Sequence, residues 1–321
     1  MARGPRDPGS VSTAAIPGSP GLIDRPIFVI GAPRSGTTAL FQALATHPDL
    51  WTLYGEGDSV ISVPLRHGTT DSWFVPGEIV DDGLAATIEQ RYFDRVANVE
   101  ASRFAATAAR LIPLRSRDRL SAVLQRVGRR RKRPPIRILD KTPGNSFRIQ
   151  PLSRVFPDIR FIFLCRDPRG AIGSMYHAWR DERRFQGMEF PAHFRLDDYE
   201  GRWCFGVPPG WEDLNGASLM EVCAFQWTSY NEHCLRDLPK DPARCLTVRY
   251  EELRHEPGRL FARIAQWADV DPAPLRRYRN KIPVMNTWTA PKDDKWRRSE
   301  SEMRAIAARV VPVSEALGFS W

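Results

Sequence analysis

The chain has 321 residues, 42% of them hydrophobic, and a formal net charge of +9 at pH 7. That is enough for one large α/β domain or two smaller ones with a real core, while no apolar run approaches the roughly 18 residues of a membrane span. The positive balance bears on partners and not on fold: it suits a nucleic-acid or membrane surface, or a small and highly anionic ligand.

The opening, MARGPRDPGSVSTAAIPGSPG, is rich in Pro, Gly and Ser and has no apolar h-region. It predicts a disordered tail over 1–24 ahead of a single domain over 25–321. Four β-rich runs follow, at 27–30, 136–139, 160–165 and 245–248. They are continuous rather than alternating, the pattern of strands buried on both faces. Helical stretches separate them, which predicts crossovers and a central parallel sheet flanked by helices.

The first run enters a glycine loop, FVIGAPRSGTTAL, and then a helix over about 37–46. A strand, glycine loop and helix present backbone N–H groups and a positive dipole end to an anion, the P-loop-like arrangement. A nucleotide triphosphatase would carry GxxxxGK[ST] here, but Thr37 stands where that lysine belongs and Arg34 sits inside the loop. A helical stretch is expected at 87–125, within an insertion over about 57–135. The 160–165 run leads into RDPRGAIGSMYHAW, where Asp167 caps a helix and Pro168 takes its first position. An irregular segment over 180–218 carries Phe190, Phe194, Tyr199, Trp203, Phe205 and Trp211. Loops this long are uncommon unless functional, and the two insertions are expected to wall a pocket over the carboxyl ends of the strands.

GAPRSGTT resembles the 5′-phosphosulfate loop of sulfotransferases that use 3′-phosphoadenosine 5′-phosphosulfate (PAPS). In carrying Arg34 it looks most like the tyrosylprotein and related bacterial branch, since the cytosolic steroid and phenol enzymes have lysine there. The resemblance covers residues from Ile27 to about Trp296. It implies a P-loop-like α/β fold and transfer of a sulfuryl group to a hydroxyl of a small-molecule, glycan or lipid acceptor, leaving PAP. It assigns Arg34, Ser35, Gly36, Thr37 and Thr38 to the phosphosulfate end. FIFLCRDPRGAIGSM supplies Arg166 and, eight positions on, Ser174, similar to the pair that binds the 3′-phosphate. Glu56, after HPDL and Gly55, matches the catalytic base of the tyrosylprotein branch. Lys141 in LDKTP matches the lysine that reaches the transferring sulfonate. Tyr250 in VRYEEL and Lys295 in DKWRR match residues lining the nucleotide.

Two positions depart from the family pattern. Pro143 stands where the cytosolic branch has its catalytic histidine, and Asp294 stands where the tyrosylprotein branch has a serine. The first moves the base to Glu56, with His67 and His177 in reserve and Asp58 as a nearby second carboxylate. No HExxH or paired Cys/His set is present, so no metal requirement is expected. The five cysteines form no CxxC pair and read as reduced thiols of a cytoplasmic protein. Two rivals compete. A P-loop kinase or triphosphatase lacks its lysine. A non-catalytic nucleic-acid or anionic-surface binder would use the basic run RVGRRRKRPPIR, which has no interleaved aromatics and reads as a solvated face. No nucleic-acid partner is expected.

Overall fold

The computed structural model describes residues 21–53, 56–65, 73–96, 134–181, 189–282 and 295–321. Five strands form one sheet: β1 (Ile27–Ile30), β2 (Trp51–Thr52), β3 (Ile138–Lys141), β4 (Arg160–Cys165) and β5 (Cys245–Arg249), in the order β2-β3-β1-β4-β5. Every pairing is parallel. β1 lies at the centre, with β2 and β3 added on one side and β4 and β5 on the other. The reversal of strand order therefore falls at β1, the place where open α/β sheets bind ligands beyond their carboxyl ends.

The continuous apolar runs are explained by two cores, one on each face. Phe28, Ile30, Phe161 and Phe163 pack with α3 (Asp82–Arg95) and α4 (Ile149–Val155). Ile27, Val29, Ile162 and Leu164 pack with α1 (Thr37–Leu44) and α8 (Pro257–Ala268). Successive strand residues point to opposite faces, so a strand covered by helices on both must be apolar throughout.

A third core joins α5 (Pro168–Trp179), α6 (Leu219–Asp237) and α10 (Ala307–Ala316) to residues 194–214. Ser218 and Glu221 close a reciprocal capping box at the start of α6. The remaining α-helices among the described residues are α2 (Asp58–Leu65), α7 (Tyr250–His255) and α9 (Glu300–Ala305).

Several boundaries differ from the sequence reading. The run at 136–139 becomes a strand two residues later, because Ile136 bridges to Ile23 while Asp140 and Lys141 pair with Phe28 and Val29. Ile23, within the 1–24 stretch, is 6% exposed and belongs to the core. β2 is too short to leave a sequence pattern. Within the expected 87–125 helix the structure describes α3, which starts earlier, at Asp82, behind an Asp81 cap that accepts from the Leu84 amide. Residues 97–133, and with them Arg129–Arg133, lie outside the described residues. No helix among the described residues is long and apolar enough to cross a membrane.

Candidate active site

The loop between β1 and α1 turns on two glycines with positive φ, Gly31 at 145° and Gly36 at 97°. A Cβ on Gly31 would stand 2.3 Å from the Leu164 carbonyl oxygen, and one on Gly36 would stand 2.5 Å from the Tyr250 ring. Both glycines are required by close approach as well as by conformation. Arg34 also adopts a positive φ, 67°, which is uncommon for a residue with a side chain. The Ser35 hydroxyl is buried without a protein partner. Thr37 and Thr38 open α1, whose first amides have no acceptor within the helix.

Arg166 follows the last residue of β4. Its Nη1 donates to the Arg34 carbonyl at 2.8 Å, and its guanidinium lies 4.3 Å from the centroid of the Tyr250 ring. Burial lowers the Arg166 pKa from its ordinary value, while Tyr250, Glu251 and Asp167 act to raise it. Ser174, two turns into α5, accepts from Arg34 Nε at 3.0 Å. Asp167 caps α5 by accepting from the amides of Arg169 and Gly170, as the sequence predicts. Arg34, Arg166, Ser174 and Tyr250 are thus one cluster at the carboxyl ends of β1, β4 and β5.

A second cluster forms at the end of β3. The Lys141 ammonium, with its side chain 9% exposed, is ion-paired with the Glu56 carboxylate, which is 51% exposed. The loop reaches this cluster through the Gly31 amide, which donates to Ser146 Oγ at 3.3 Å. Asp58 does not serve as a second free carboxylate: it pairs with buried Arg148 at 2.6 Å. Arg148 in turn lies 5.6 Å over the Trp73 ring. Beneath the pair sits Asp140, 1% exposed, held by Thr142 Oγ1 at 3.2 and 3.3 Å and by Asn145 Nδ2 at 2.9 Å. Burial pushes the Asp140 carboxyl up to about 6, against the opposing effect of Thr142 and Lys141. Tyr230 of α6 also belongs here. Its hydroxyl is buried, its pKa is raised chiefly by burial, and the charge of Glu56 adds to the rise.

Asp140, Thr142, Arg148 and Tyr230 were missed by sequence reasoning. LDKTP carries the first two, but only the lysine attracts attention in a linear reading, because a carboxylate inside an apolar strand has no partner in sight. Tyr230 has no local signal at all.

His67 and Gly55 lie outside the described residues. His177 is exposed on α5, its ring 6.0 Å from that of Tyr176. Lys295 opens a short 3-10 turn, Lys295–Ser299, which packs on α5 where Arg169 lies 5.0 Å over the Trp296 ring. The aromatics of 180–218 do not all face a pocket. Trp203 is 0% exposed and Trp211 3%, with ring centroids 5.3 Å apart, and Trp179 stands 5.3 Å from Trp203. Gln226 fastens this group: it accepts from Trp179 Nε1 and donates to the carbonyls of Cys204 and Gly206. These rings build the third core, because aromatic faces this large are buried when other rings are there to cover them.

The chain is 27% identical over 207 residues to the omega-hydroxy-beta-dihydromenaquinone-9 sulfotransferase Stf3 of Mycobacterium bovis, a match covering 55% of this chain and 51% of that protein. It is 23% identical over 248 residues to a putative protein-tyrosine sulfotransferase of Caenorhabditis briggsae, covering 76% of this chain and 65% of the relative. The chain therefore spans about half to two thirds of the length of these curated relatives. The solved sulfotransferase domain of the Synechococcus PCC 7002 olefin synthase aligns over 95% of this chain and 98% of its own, at 18% identity and a TM-score of 0.47. The profile of the Sulfotransferase family matches residues 26–274, which include the glycine loop, the Glu56–Lys141 pair, Arg166, Ser174 and Tyr250, and the chain belongs to that family.

Proposed function

We propose that the protein transfers the sulfuryl group of PAPS to a hydroxyl acceptor, with Glu56 as the general base. The observation that carries this reading is the Glu56–Lys141 ion pair at the end of β3, beside a phosphate-type loop whose arginine is tied to Ser174 and neighbours Arg166. The residues fit a nucleotide with a phosphate at each end. Ser35 has a buried hydroxyl with no protein partner, Gly36 leaves room for no side chain, and a half-buried arginine stands at a helix N-terminus. PAPS supplies an activated sulfuryl group joined to a phosphate leaving group.

The protein has positioning, proton removal and charge stabilisation to perform. Ser35, Thr37, Thr38 and the first amides of α1 hold the phosphosulfate end. Arg166 and Ser174 hold the 3′-phosphate, and Tyr250 supports Arg166 through its ring. Arg34 bridges the two ends, since its main chain lies in the loop and its side chain reaches Ser174. Lys141 donates to the group in flight, and Glu56 removes the acceptor proton. Lys141 and Glu56 therefore exchange each other for the sulfonate and the hydroxyl, and their pairing beforehand holds both at the place of reaction. Lys295 closes the nucleotide side. Charge compensation by Arg34 and Lys141 makes a metal unnecessary, so EDTA should leave turnover unchanged.

The acceptor class to test first is a hydroxylated lipid, after the name of the mycobacterial relative. The experiment is incubation with ³⁵S-labelled PAPS and separate hydroxylated lipid, sugar and phenol probes, with and without EDTA. Labelled sulfate ester is the expected product. Magnesium-dependent ATP turnover in place of ester formation would overturn the reading in favour of a kinase or triphosphatase.

A further inference from the structure

Three successive residues, Glu56, Gly57 and Asp58, each engage the end of β3 or the stretch that follows it. Glu56 pairs with Lys141, and Asp58 pairs with Arg148. Between them the Gly57 amide donates to Thr142 Oγ1 at 2.6 Å. The same hydroxyl donates its one hydrogen to Asp140, with oxygens at 3.2 and 3.3 Å. Gly57 has to be a glycine for this contact: a Cβ there would stand 2.9 and 3.1 Å from the two Asp140 oxygens.

The arrangement has a direction. A hydroxyl has one hydrogen to give and lone pairs to receive. An ionised carboxylate accepts only, so Asp140 draws the Thr142 hydrogen to itself and leaves the oxygen facing the Gly57 amide. A second donor, Asn145 Nδ2 at 2.9 Å, keeps Asp140 oriented. Burying a carboxylate is costly, and a neutral amide would not impose the same polarity on the threonine. Nothing in the proton chemistry of the reaction uses Asp140, which is 1% exposed.

We propose that Thr142, oriented by buried Asp140, is a positioning residue that holds Glu56 against Lys141 through the Gly57 amide. The proposal rests on the reading of Glu56 as the base. Both residues are shut off from the surface: Thr142 is 1% exposed, as is Asp140. Their effect is on where the Glu56 main chain stands when the acceptor arrives.

The test compares the full chain with Thr142→Val, which keeps the shape and removes the hydroxyl, and with Thr142→Ser, which keeps the hydroxyl. Amide hydrogen exchange of the peptide carrying Gly57 should quicken by about tenfold in the valine variant and return to the wild-type rate in the serine variant, as expected when one local hydrogen bond is lost and restored. Carbodiimide labelling of Glu56, read by peptide mass, should rise in the valine variant alone. The stabilisation given by PAP should be the same in all three, which a general loss of structure would not allow. Unchanged exchange and labelling in Thr142→Val, or failure of Thr142→Ser to restore them, overturns the proposal. Should the valine variant not fold, the wild type decides: a Gly57 amide exchanging as fast as in an open chain overturns it, and a protected one supports it. The base assignment is read separately, by turnover of Glu56→Gln. Normal turnover there removes the assignment of Glu56, while the exchange and labelling still report the pinning.

Discussion

At the scale of single residues, two neighbouring carboxylates stand in opposite environments. Glu56 is half-exposed and paired with Lys141. Glu56→Gln preserves size and loses basicity, so turnover should fall about 10²- to 10⁴-fold while PAP affinity stays near the wild type. Steady-state kinetics with PAP titration checks both halves. Asp140 is buried, and its carboxyl is pushed up to about 6 from an ordinary value of 3.8. Between those values the folded protein holds a proton that the unfolded chain has released. The associated stability is complete below about pH 4 and is lost as pH rises to about 6. The difference is roughly 3 kcal/mol, since a tenfold change in a protonation equilibrium corresponds to about 1.4 kcal/mol. Asp140→Asn should flatten this part of the profile, and urea unfolding at a series of pH values measures it.

At the scale of elements, the β1–α1 turn and the β4–α5 turn are built against each other. Tyr250, which opens α7, sits at their meeting. Its ring occupies the space a Gly36 side chain would need and carries Arg166 on its face. Gly36→Ala places a methyl group into that ring at a positive φ. It should cost about 1–3 kcal/mol, the range for a strained backbone position. It should also weaken PAP binding by displacing Arg166. Thermal unfolding and PAP titration of this variant test the two effects together. The long segment before α6 works differently. Its tryptophans pack into the third core: Trp203 Nε1 donates to the Gly206 carbonyl, and Gln226 ties the Cys204 and Gly206 carbonyls to Trp179 of α5.

At the scale of the whole molecule, the β1–α1 and β4–α5 turns come from opposite halves of the chain. A ligand that holds both should stabilise the fold as a unit. On the proposed function PAP is a ligand of the folded state alone, so at a hundred times its dissociation constant it should add about 2.7 kcal/mol. Arg166→Ala should remove most of the corresponding rise in melting temperature. An undiminished rise would place the 3′-phosphate elsewhere.

The sequence by itself determined four of the five strands and the glycine loop, because these depend on local signals. Continuous apolar runs at 27–30 and 160–165 mark doubly covered strands, and Gly31 and Gly36 sit where only glycine fits. Asp167 and Pro168 announce the helix that follows Arg166. The tertiary structure alone decided which residues share the site. Strand order brings Lys141 beside the loop after β1, and α2 returns Glu56 and Asp58 to the stretch between Lys141 and Arg148. It also decided that Trp203 and Trp211 are core and that Asp140 is buried. Those outcomes depend on which surfaces meet across long sequence separations, and no periodicity within one segment records its future neighbour.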